Sequence, residues 1–138
     1  RYHAEMTQFV ETLPADIQPC VRCVGFIDRM DLAYQSARVI ASRAGAMSIA
    51  ELALIGKPTI LVPSPVVAED HQTKNAQSLS DRGGAVLLRD TEVIEGLEAE
   101  ISSLLGDEHR QQTLTQHLRS AARPQAAQDV VDALEKLI

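Results

Sequence analysis

From residue 3 the apolar positions fall three and four apart: Met6, Phe9, Val10 and Leu13 form one stripe, which predicts a helix over 3–13 ended by Pro14. The period then changes. "CVRCVGFI" (20–27) is a short β-rich run and reads as a strand, while the polar "DRMDLAYQSA" returns to helical spacing at Met30, Leu32 and Ala33. "RVIAS" (38–42) is the next strand, and "AMSIAELALIG" (46–56) a helix with Gly56 as its C-cap. "KPTILVPS" (57–64) is a strand with prolines only at its ends. The loop "PVVAED" leads to the helix "HQTKNAQSLSDRG", again ended by glycine, and "AVLLRD" (85–90) is a strand. The remainder reads as three helices, over 91–105, 107–122 and 125–138. The last carries Val130, Val131, Leu134, Leu137 and Ile138 on one amphipathic stripe, a face made to pack on something.

Strands alternating with helices of this length make βαβ units. The expected fold is therefore α/β, a Rossmann-like parallel sheet with helices on both faces. In a sheet of order 3-2-1-4-5-6, "CVRCVGFI" would be strand three and "RVIAS" strand four, leaving an apolar edge on strand four. Ligands of such sheets bind at the carboxyl ends of strands, where helices begin. "ASRAGAM" compresses a strand end, a tight turn and a helix start into seven residues.

That stretch has the chemistry of a phosphate seat. Gly45 and Ala46 carry no bulk, so the first N–H groups of the helix can approach a ligand, aided by the positive end of the helix dipole. Small residues there serve helix–strand packing equally well. Glu51, about one and a half turns on, can accept two hydrogen bonds from a vicinal diol such as ribose, and its neighbours Ile49, Ala50, Leu52 and Ala53 argue against a solvated face. "AEDHQTKNA" (68–76) marks a second strand-to-helix junction. There Gln72 and Asn75 share a helical face and their amides suit sugar hydroxyls, Asp70 suits a helix N-cap, and His71 is a weaker candidate for a base. Phe26 and Ile27 end the first strand and could flank a planar base, or simply fill core.

Composition narrows the field. An apolar fraction of 45% over 138 residues fills about one domain's core and argues against disorder. A net charge of −6 with 3% aromatic residues disfavours nucleic acid as a partner. No run approaches the roughly 20 apolar residues of a membrane span. Cys20 and Cys23 in "CVRC" lack the second ligand pair a zinc site needs, and on a strand they would point to opposite faces, which disfavours a disulfide. The pattern starts partway into a helix with no initiating Met, so the sequence reads as a fragment of a longer protein.

Taken in order, "SRAGA", a helix with Glu51, "GKP", "LVP" and "DHQTKNA" resemble the C-terminal domain of the MurG family of bacterial glycosyltransferases, strongly over about residues 20–90. The form "SPVVAEDHQTKNA" is similar to Bacteroidetes members. The resemblance implies the GT-B arrangement of two Rossmann-like domains, and an activity that moves N-acetylglucosamine from UDP-GlcNAc to lipid I, making lipid II for peptidoglycan. It implies that Phe26 and Ile27 flank uracil, and that Ala46 and Met47 offer N–H groups to the diphosphate. Glu51 would hold the ribose hydroxyls, and Gln72 and Asn75 the sugar. It implies no cofactor, no metal, and peripheral contact with the cytoplasmic face of the inner membrane in the full protein.

The family's N-terminal domain, which holds the acceptor and the proposed catalytic base, has no counterpart here, nor has its "GGS-x-G" loop. No catalytic residue is therefore expected in these residues, which read as the donor-binding part of the enzyme. Other GT-B nucleotide-sugar enzymes, such as a UDP-GlcNAc 2-epimerase or a plant-type glycolipid glycosyltransferase, share the turn and the Glu but generally not "DHQTKNA". A free-standing Rossmann-like binding module is the non-enzymatic alternative.

Overall fold

Strand β2 (Thr59–Leu61) is buried at every position, and the larger part of the fold is built around it. In this computed structural model, which describes residues 2–66 and 70–137, β2 lies between β1 (Ile40–Ser42) and β3 (Val86–Leu87). Both pairings are parallel: Ile40, Ala41 and Ser42 stand opposite Thr59, Ile60 and Leu61, and the last two stand opposite Val86 and Leu87. A parallel strand covered on both faces has to be nearly apolar on both. "TIL" meets that demand, because the one polar side chain, Thr59, donates its hydroxyl to the Lys57 carbonyl at 2.8 Å.

Parallel neighbours cannot be joined by a hairpin, so each pair needs a crossover. Helix α3 (Ala46–Ile55) connects β1 to β2 and buries Leu52 and Ala53; α4 (His71–Asp81) connects β2 to β3 and buries Ala76 and Leu79. Three helices follow: α5 (Val93–Gly106), entered through a 3₁₀ turn at Asp90–Glu92, then α6 (Glu108–Ser120) and α7 (Ala126–Glu135). Ile60 and Val62 form one core cluster with Leu88, Leu104 of α5 and Leu114 of α6; Val93, Leu97 and Ile101 complete it. The α5–α6 corner is tied by polar contacts. Asp107 accepts the Arg110 N–H at 2.8 Å as N-cap, and Arg110 reaches back to Glu100 at 3.0 Å.

Helix α3 stops where the sequence predicts. Gly56 adopts φ 61° and ψ 51°, and its N–H donates to the Leu52 carbonyl at 2.8 Å. Glycine is required there twice over: the left-handed backbone disfavours any Cβ, and the Arg119 side chain occupies the space a Cβ would take. That guanidinium sits at the negative end of the α3 dipole.

The chain divides into two units, residues 1–35 and 36–138. In the first, α1 (Tyr2–Glu11) matches the expected helix and is followed by a 3₁₀ turn at Gln18–Cys20 and the start of α2 (Met30–Ser36). The strand expected over 20–27 does not form. Val21 takes extended dihedrals (φ −112°, ψ 126°), but no described strand pairs with this segment, and β propensity without a ladder makes no strand. The two cysteines are free and lie off any strand, so the argument from opposite faces does not apply.

In the second unit the expected strands and helices are present with trimmed ends. β1 stands at one edge of the sheet, as expected for "RVIAS". The stripe of α7 forms but remains exposed at Val130, Val131, Leu134 and Leu137, contrary to the expected packing; Ile138 lies outside the described residues, as do 67–69 of the loop before α4. Among the described residues no helix is long and apolar enough to cross a membrane.

Candidate functional site

The site begins where β1 gives way to α3. The last ladder bond runs from the Val62 N–H to the Ser42 carbonyl at 2.8 Å. Arg43 and the fully buried Ala44 follow, and Gly45 is the N-cap of α3 with φ −66° and ψ 147°. The Gly45 carbonyl accepts the Ile49 N–H at 2.9 Å, the first i→i−4 bond of the helix. The N–H groups of Ala46, Met47 and Ser48 precede that pattern, and Gly45 has no side chain with which to cap them. No acidic residue occupies the first turn. Ala46 and Met47 are exposed, so these donors and the positive dipole end form an open seat for an anion.

Helix α4 supplies the amides. Asn75 Nδ2 donates to the Ala44 carbonyl at 3.4 Å, and Gln72 Oε1 accepts the Ser64 N–H at 2.9 Å. Spaced three apart on one helical face, the two side chains thus brace the turns that leave β1 and β2. Each commits one end of its amide to the backbone, so the other end, Gln72 Nε2 or Asn75 Oδ1, is the part suited to a ligand. Asn75 and Ala46 line one groove of about 250 Å³, together with Ile49, Ser78 and Arg82.

Three expectations need correction. Glu51 is exposed, because α3 turns Leu52 and Ala53 inward instead; its apolar sequence neighbours do not enclose it. Asp70 stands at the N-cap position of α4 but in the left-handed region (φ 55°), with no side-chain cap bond. Phe26 and Ile27 belong to the N-terminal unit, where both are exposed, in irregular backbone instead of at a strand end. Gly45, Ala46, Met47, Glu51, Gln72 and Asn75 all belong to the larger unit.

Sequence reasoning passed over Arg43, Ser64 and Asp90. Arg43 Nη1 donates to the Val62 and Pro63 carbonyls and pairs with Asp90. Arg43 lies inside the motif and was open to notice as a long cation between a strand end and a helix start; nothing local marks Asp90, 47 residues further on. No cluster of metal-ligating side chains is present among the described residues.

The profile of the glycosyltransferase family 28 C-terminal domain matches residues 2–130. A Flavobacterium psychrophilum protein named UDP-N-acetylglucosamine–N-acetylmuramyl-(pentapeptide) pyrophosphoryl-undecaprenol N-acetylglucosamine transferase is 46% identical over 118 residues, 86% of this chain and 32% of the relative. The Porphyromonas gingivalis W83 protein of the same name is 49% identical over 134 residues, 94% of this chain and 35% of the relative. The chain spans about a third of the length of these curated relatives. A crystal structure of Acinetobacter baumannii MurG superposes with a TM-score of 0.74 at 32% identity, covering 83% of this chain and 33% of that one.

Proposed function

Because the chain belongs to the glycosyltransferase family 28 C-terminal domain family, we propose that it is the donor-binding domain of a hexosyltransferase that moves N-acetylglucosamine from UDP-GlcNAc onto lipid I, forming lipid II for peptidoglycan. The observation that carries this reading is the junction at residues 45–47. An uncapped helix start lies at the carboxyl end of a parallel strand, with Asn75 in the same groove and Gln72 one turn of α4 away. Diphosphate, sugar and ribose each then have a chemically suited partner: N–H donors with a helix dipole, two amides, and the Glu51 carboxylate.

In this reading Phe26 and Ile27 face the uracil, with Ile27 meeting it through the backbone. The residues of this chain bind and orient the donor; none is assigned to proton transfer. The lipid acceptor, the catalytic base and the peripheral contact with the cytoplasmic face of the inner membrane fall to parts of the enzyme beyond these 138 residues. The names of the relatives favour a UDP-GlcNAc transferase over an epimerase or a glycolipid glycosyltransferase of similar architecture.

Titration of the isotope-labelled chain with UDP-GlcNAc, followed by NMR, tests the assignment. Shifts should concentrate at the 45–47 amides, Glu51 and the side-chain amides of Gln72 and Asn75. Shifts confined to the opposite ends of the strands, for instance the cleft between Arg38, Lys57 and Gln111, would overturn it.

A further inference from the structure

All three strand ends meet one side chain. Arg43 directly follows β1, and its Nη1 donates to the carbonyls of Val62 and Pro63, which leave β2, each at 3.3 Å. The same nitrogen pairs with Asp90 Oδ1, in the turn that leaves β3. These partners lie 19, 20 and 47 residues away, so no local preference creates the contacts. The parallel sheet creates them, by bringing its carboxyl ends together. A cavity of about 260 Å³ opens beside the pair, lined also by Ala41, Ser42, Val62 and Val93.

The pair is poorly placed to stabilise the fold as a whole. Its side chains are 54% and 36% exposed, and exposed ion pairs contribute little to stability. It is well placed to fix a position. Arg43 stands three residues before Ala46, so its grip on 62–63 sets where the α3 N–H groups lie relative to the loop that Gln72 clasps at Ser64. The two carbonyl bonds are long and open to competition from water. The Asp90 carboxylate is what holds the guanidinium over them.

We propose that Asp90 is a positioning residue for donor binding: acting through Arg43, it preorganises the N–H groups at the start of α3 for a nucleoside diphosphate. This rests on the donor-binding reading above. It makes a prediction opposite in sign to simple electrostatics. A carboxylate near a phosphate seat repels the ligand, so removing its charge alone should tighten binding. Loss of preorganisation should weaken it.

The test compares wild type, Asp90→Asn, Arg43→Lys and the double variant as the full 138-residue chain, using UDP and uridine as probes. Asp90→Asn should weaken UDP roughly three- to tenfold, within the range of coupling between members of one hydrogen-bond network. Uridine, which has no phosphate to seat, should bind unchanged. The double variant should bind UDP no worse than Arg43→Lys alone. Amide exchange at Ile49, whose N–H closes the first turn of α3 on the Gly45 carbonyl at 2.9 Å, should quicken in Asp90→Asn without ligand. Equal or tighter UDP binding by Asp90→Asn overturns the proposal, as does an additive double variant. If the wild type binds no UDP, the donor reading fails. The exchange rates then decide the positioning role alone, faster exchange supporting it and unchanged exchange refuting it.

Discussion

Gln72 Oε1 accepts the Ser64 backbone N–H at 2.9 Å, so the side chain assigned to the sugar is also the clasp on the loop leaving β2. The two roles use opposite ends of one amide and can be separated. Gln72→Glu keeps the acceptor that holds Ser64 but removes both N–H donors. The added carboxylate repels the diphosphate of both ligands alike, so UDP should weaken somewhat and UDP-GlcNAc clearly more, with amide exchange at Ser64 as in the wild type. Gln72→Ala should lose the sugar preference and also quicken that exchange. Calorimetry with both ligands checks the pair of variants, and equal losses for UDP and UDP-GlcNAc would remove the sugar assignment.

Gly45 can be enlarged without strain, which makes it a clean probe of the diphosphate turn. Its φ of −66° suits any residue, and an added Cβ meets only the Ser48 hydroxyl oxygen, at 3.7 Å. Gly45→Val should therefore keep the fold, at the cost of roughly 1 kcal/mol for a poorer N-cap, while crowding the approach to the Ala46 and Met47 N–H groups. UDP affinity should fall. A folded variant with wild-type affinity would contradict the role given to this turn.

Glu51→Ala should cost on the order of 1–3 kcal/mol of UDP binding, the scale of hydrogen bonds to a charged group. Because Glu51 is exposed, stability should fall by at most about 1 kcal/mol, the range of exposed polar interactions. Uridine and 2′-deoxyuridine give the sharper comparison: the wild type should prefer uridine, and Glu51→Ala should not.

Gly56→Ala is the contrasting case, structural and remote from the ligand. A Cβ at φ 61° is strained and overlaps the Arg119 side chain. A loss of about 1–3 kcal/mol in stability is expected, the usual cost of forcing a non-glycine residue into a sparsely populated backbone region. Chemical denaturation measures it. Stability equal to wild type would show that Arg119 moves aside without loss.

These positions differ in how far the sequence announces them. The β1–α3 junction was legible because small residues, helical period and a glycine stop lie within about one helix of each other, and the structure places α3 at Ala46–Ile55 with Gly56 as C-cap. The face shared by Gln72 and Asn75 follows from a spacing of three. Residues 20–27 misled for a physical reason: a strand is made by its neighbour, and composition reports only willingness to pair. Glu51 misled because flanking apolar residues on a helix point in other directions from the residue itself. Asp90 was invisible, since its partner lies 47 residues away and only the closed sheet brings the two together.

In the N-terminal unit, Arg29 binds the Asp31 carboxylate through Nε at 2.9 Å and Nη2 at 2.6 Å. The hydrogen bond from Arg29 holds the Asp31 carboxyl below its ordinary range. A carboxylate depressed in the folded state contributes stability above its unfolded pKa, and that contribution is lost as pH falls through the folded value. Both groups are solvent-exposed, so the effect is confined to the first turn of α2. The Leu32 and Ala33 amides should shift on acidification below the ordinary carboxylate range, and Asp31→Asn should abolish that step. An unchanged pH profile in the variant would show that the pair does not govern this turn.

The central claim is that these residues form a seat for a nucleotide sugar, with the N-acetylglucosaminyl group recognised as such. Calorimetric titration of the chain with UDP-GlcNAc and with UDP-glucose tests it most directly, since the two donors differ only at the sugar's C2 substituent. Single-site binding of both, tighter for UDP-GlcNAc, is the predicted result. No binding of either, or equal affinity for the two, would contradict the account.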